Sequence, residues 1–154
     1  MKHLMRLITW EKCFILSFSI LPLLIFLSFY GLYTNKFYFL KVDNYIFSLL
    51  MIIHVWFLNA LRQLEKKPHA HMNITRNLEY IMYAIFLVYL FKIAETSYIL
   101  LSYFEYSDLV LPSTFLPVGL FILMLQFILL IVTFTTFKHR VEQIGPYRFD
   151  RVHK

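Results

Sequence analysis

Residues 80–104 read YIMYAIFLVYLFKIAETSYILLSYF, an apolar run broken near its middle by Lys92 and Glu95. A bilayer's hydrocarbon core is about 30 Å thick and takes roughly 20 helical residues to cross, so the run is long enough to span one. Inside that core the backbone has no water to bond with, which leaves a helix as the form such a run can take. A charge at this depth costs about 2.5–3.5 kcal/mol on insertion scales. Lys92 and Glu95 are therefore expected to face other helices or a wet cavity. Spaced three apart, they share one helix face and can reach each other. Ala84, Val88, Thr96 and Ile99 lie on that face, with Phe86, Leu87, Leu90 and Ile93 largely opposite.

Three further runs are long enough to span: 14–33, 45–61 and 115–137. The chain is 60% hydrophobic, where a soluble domain sits nearer half apolar. Together these predict one all-α membrane domain over 1–154, a four-helix bundle with a basic tail at 138–154. The run from Phe14 is too long for a signal peptide's apolar region and lacks a small-residue cleavage site, so it reads as a retained span. Pro22 should kink that span or open its backbone hydrogen bonds. The second helix is expected to continue through RQLEKK until Pro68 stops it. Asn73 or Thr75 is a fair cap for the third. Pro112 and Pro117 open the fourth, and Gly145-Pro146 breaks the tail. Cys13, the single cysteine, allows no internal disulfide and is expected to be packing.

A formal charge of +6 raises the question of nucleic acid, but the placement of the charges answers it. Lys2, Arg6 and Lys12 precede the first span. Arg62, Lys66, Lys67 and Arg76 lie between the second and third, and Lys138, Arg140, Arg148, Arg151 and Lys154 follow the fourth. The other two connections hold only Lys36 and Lys41. The positive-inside rule then puts both termini and the middle loop in the cytoplasm, as for a multi-pass protein of the bacterial inner membrane. Direct nucleic-acid binding is not expected.

Counting inward from the span ends brings Pro22, His54, Lys92 with Glu95, and Gln126 to one level about halfway across. This layer reads either as a functional midplane site or as polar glue, since interhelical hydrogen bonds in membranes contribute about 0.6–2 kcal/mol and help fix register. A haem would need an axial ligand, and His54 is the only histidine within a span, so a two-histidine site would require a second chain. His69 and His71 lack the further ligands a metal site wants. Nucleophile elbow, phosphate loop and catalytic carboxylate pair are all missing from the sequence, so neither an enzyme nor a cofactor is expected. The basic side offers Arg62, Lys66, Lys67, Arg76, Lys138 and Arg140, with Tyr147 interleaved among Arg148 and Arg151 in the tail. These are candidates for binding lipid headgroups or a cytosolic partner.

A small four-pass layout with both ends inside, a basic middle loop RQLEKKPHAH and no soluble domain resembles the KwaA-like membrane subunit of the Kiwa antiphage defence system. The resemblance covers the layout of the whole chain and carries no residue across. It implies a homo-oligomeric membrane sensor that recruits a cytosolic nucleic-acid-binding effector protein. The expected function is therefore a non-catalytic subunit that anchors or signals to a cytosolic partner. The alternatives are a channel or transporter subunit with a polar path at Lys92 and Glu95, or an accessory subunit of a respiratory complex.

Overall fold

A computed structural model describes residues 9–66, 72–105 and 111–145. Four helices carry the fold: α1 (Trp10–Ser28), α2 (Val42–Lys66), α3 (Met72–Glu105) and α4 (Phe115–Ile144). Each is long and apolar enough to cross a membrane. They run up and down in sequence order, each packing on its chain neighbours, with α1 closing the ring against α4. The end carrying the start of α1 and the finish of α4 is called the terminal end below, and the opposite one the loop end.

Leu21, Met51, Phe57, Leu61, Met82, Ile85 and Leu129 are 0–2% exposed and belong to one continuous core. Large apolar side chains also stand on the outside, among them Ile15, Phe18, Ile52, Trp56, Leu87 and Leu101. An apolar exterior around an apolar core is the surface lipid requires, because hydrocarbon offers exposed side chains nothing polar to meet.

Three boundaries differ from expectation. The first span was expected over 14–33, but α1 ends at Ser28 and the chain turns into a short hairpin, β1 (Tyr30–Gly31) on β2 (Lys36–Phe37). Aromatic residues suit a pleated strand, and here Phe26, Phe29, Tyr30, Phe37 and Phe39 pack ring against ring. Asn35 takes a positive φ of 54° in the turn, a conformation asparagine tolerates better than most residues. Gly31 is needed for close approach, since a Cβ there would lie 2.6 Å from the Tyr38 ring.

The third span is expected over 80–104 with Asn73 or Thr75 as the cap of its helix; α3 begins at Met72, so both residues lie inside it. The fourth was expected over 115–137, and α4 runs on to Ile144, where Gly145 stops it at a positive φ of 76°. α2 reaches Lys66, as the RQLEKK reading anticipates. Pro22 sits within an unbroken α1.

Candidate functional site

At 1.5 Å per residue, Lys92 lies about 20 Å along α3 from either Glu79 or Glu105. Polar side chains gather at two levels of the bundle, one around Lys92 and one around Glu79.

The upper level is a cavity of about 340 Å³ in the loop half of the bundle. All four helices and the hairpin segment line it: Leu24, Leu27 and Ser28 from α1, Tyr30, Leu32 and Lys41 from the connection, and Asn44 and Phe47 from α2. Phe91, Lys92, Glu95, Thr96 and Ile99 come from α3, Ile122 and Gln126 from α4. Lys92 Nζ donates to Glu95 Oε2 at 2.6 Å, and the two side chains are 33% and 43% exposed. The pair thus forms as the spacing predicts, but it stands in an open cavity instead of being sealed between helices. Lys92 Nζ also lies 5.5 Å from the centre of the Phe47 ring, within cation–π range.

Gln126 is buried in the same wall, and its Oε1 has no hydrogen-bond partner. An adjoining cleft of about 10 Å³ lies among Leu24, Phe47, Tyr89, Lys92, Gln126 and Leu129. That is room for about one water.

His54 does not line the cavity. It is fully enclosed, and its Nδ1 shares a hydrogen bond of 3.0 Å with the hydroxyl of Tyr89. Tyr89 in turn reaches the cleft beside Lys92 and Gln126, so it joins the histidine to the cavity floor. Toward the terminal end the bundle then closes on Leu21, Met51, Met82, Ile85 and Leu129. Pro22 is not among the residues of the cavity wall.

At the lower level, Glu79 of α3 and Arg140 of α4 form an ion pair, Arg140 Nη2 donating to Glu79 Oε1. Their side chains are 2% and 7% exposed. Tyr83 donates its hydroxyl to the same carboxylate oxygen at 2.8 Å, and Arg140 Nη1 donates to the Gly145 carbonyl at 3.3 Å. Arg140 is accordingly a bolt between α3 and α4, not part of the exposed basic strip the sequence suggests.

The other candidates for that strip divide. Arg62 is exposed, with its guanidinium 5.3 Å from the Phe14 ring, and Lys66 is exposed at the end of α2. Arg76 is half-buried. Lys138 lies along α4 with its ammonium 4.8 Å from the Phe134 ring. Lys67, Tyr147, Arg148 and Arg151 fall outside the described residues.

Glu79, Tyr89, Asn44 and Lys41 are site residues the sequence reading misses; Thr96 it only places on the Lys92 face, and Arg140 it assigns to the basic strip instead of the pair with Glu79. For Glu79 and Arg140 a signal existed. Thr75, Leu78, Glu79 and Met82 keep the helical spacing of the α3 stripe, as Thr133, Thr136, Phe137 and Arg140 do on α4, and all eight are buried. That spacing marks a buried face whatever the residue type.

No protein-family model matches this chain, and neither the curated proteins nor the solved structures contain a match to it.

Proposed function

We propose that this chain is a non-catalytic, membrane-embedded sensing subunit of a bacterial inner membrane, with both termini in the cytoplasm. In this reading the cavity receives a signal at the loop end. α3 and α4 carry it to the basic terminal end, where a cytosolic partner docks. Homo-oligomerisation, the partner and a role in antiphage defence rest on the layout shared with the Kiwa membrane subunit.

One observation carries the reading: the polar cavity is blind. A path for ions past Lys92 and Glu95 would have to continue through Leu21, Met51, Met82, Ile85 and Leu129, which pack at 0–2% exposure. Solvating a charge in such a layer costs several kcal/mol, whereas a closed-bottomed pocket lined by all four helices suits a receptor. The length of α3 and α4 adds support. At 34 and 30 residues they run about 51 and 45 Å, beyond the roughly 30 Å of hydrocarbon.

The test is reconstitution into liposomes. Ion flux should not exceed that of protein-free vesicles. In cells, the double variant Lys92→Met with Glu95→Gln should remain folded and inserted while losing its response. Flux that vanishes in the double variant would establish the channel reading instead.

A further inference from the structure

The polar groups of the cavity stand in an order that narrows what can enter it. At the inner end Gln126 is 8% exposed, borders both the cavity and the cleft, and has an unfilled Oε1. A buried acceptor left unfilled is destabilising, so this oxygen calls for an N–H or O–H donor. One helical turn nearer the loop end than Lys92, Glu95 binds the Lys92 ammonium through Oε2 and is still 43% exposed, so its carboxylate faces open space. The rings of Phe47, Phe91 and Tyr30 stand in the same wall, and aromatic faces attract ammonium groups. Nearer the loop end the wall carries Lys41, a group that suits an anion, and Asn44, whose Nδ2 donates to the Tyr38 carbonyl at 3.4 Å.

The charge balance agrees. Among the described residues the wall holds two cations, Lys41 and Lys92, against one carboxylate, Glu95, and Lys92 is already engaged by Glu95. A lone anion would have to displace Glu95 and would leave Gln126 Oε1 unfilled. A lone cation would leave Lys41 uncompensated.

We infer that the cavity binds a small zwitterion, its ammonium directed at Gln126 and Glu95 and its carboxylate or phosphate at Lys41. This rests on the sensing role proposed above and gives it a ligand class. A free zwitterion and the headgroup of phosphatidylethanolamine share this chemistry. A volume of about 340 Å³ is at the small end for ligand pockets and admits either.

The experiment reads protection of a thiol in the cavity wall. In a Cys13→Ser background, Ile99→Cys, at a half-buried position of the cavity wall, is reacted with a membrane-impermeant thiol reagent in phosphatidylglycerol nanodiscs. O-phosphoethanolamine should slow the reaction about tenfold when its concentration stands about ten times above its Kd. Ethanolamine alone and phosphate alone should not slow it. Gln126→Leu should abolish the protection, with Glu95→Gln as the second variant if the first unfolds. Protection by the soluble probe points to a free ligand. Protection seen only when phosphatidylethanolamine replaces phosphatidylglycerol points to a headgroup, and either result supports the inference. Equal protection by ethanolamine or phosphate, or none by any probe while the thiol still reacts, overturns the ligand class and leaves the sensing role standing. A thiol that never reacts in phosphatidylglycerol overturns both.

Discussion

The ion pairs Glu79–Arg140 and Lys92–Glu95 stand in surroundings that predict opposite responses to the same substitution. Glu79 and Arg140 are cut off from water at 2% and 7% exposure. Removing one partner of a buried ion pair typically costs about 3–5 kcal/mol. Glu79→Gln or Arg140→Met should therefore lower thermal stability in detergent sharply. The double variant should recover much of the loss, and a Glu79→Gln chain as stable as the parent would refute the bolt. Lys92 and Glu95, at 33% and 43% exposure, line the cavity; a hydrated cavity, which the sensing reading requires, makes Lys92→Met cost no more than the roughly 0–1 kcal/mol of an exposed pair. A third residue tests the cavity floor. Tyr89→Phe removes the hydroxyl that satisfies His54 Nδ1, and a buried group left unpaired costs about 1–3 kcal/mol. Unfolding of the variant at the parent's temperature would mean that another group takes over the bond.

At the level of elements, α3 and α4 approach closely near the loop end. A Cβ on Gly119 would lie 2.5 Å from Leu100 Cδ2 and 3.6 Å from Leu32 Cδ1. Leu100 Cδ2 is the far end of a side chain that can turn, so Gly119→Ala should be tolerated. Gly119→Val should cost about 1–3 kcal/mol by overpacking, read as a fall in unfolding temperature. The apolar runs make the four helices legible, because sustained hydrophobicity leaves the backbone one way to satisfy itself. Where helices stop is less legible. Counting apolar residues halts at Glu79 and Lys138, although the buried stripe continues through Thr75 on one helix and Arg140 on the other. The hairpin at 30–37 escapes because its tyrosines and phenylalanines read as span residues until a turn folds them on each other. Within the site, Lys92, Glu95 and Gln126 announce themselves against an apolar background. Tyr89 and Thr96 do not, and Lys41 and Asn44 join the wall only once the hairpin has set the start of α2.

For the whole molecule, the expected orientation makes reporter fusions at Pro68 and after Lys154 read cytoplasmic and one at Lys41 read external. An external Pro68 would reverse the sides and place the cavity mouth in the cytoplasm. The account turns on that cavity being open at one end and closed at the other. The helix ring brings a polar wall from all four spans to the loop half, while the core residues beneath it pack without exposure. The most direct measurement is a set of single cysteines along α3 in a Cys13→Ser chain, reacted with an impermeant thiol reagent from each side of the membrane. Ile99→Cys should react from the loop side only, and Ile85→Cys and Met82→Cys from neither. Reaction that continues from position 99 through 85 to 82 would reveal a hydrated path across the bundle and contradict the blind cavity.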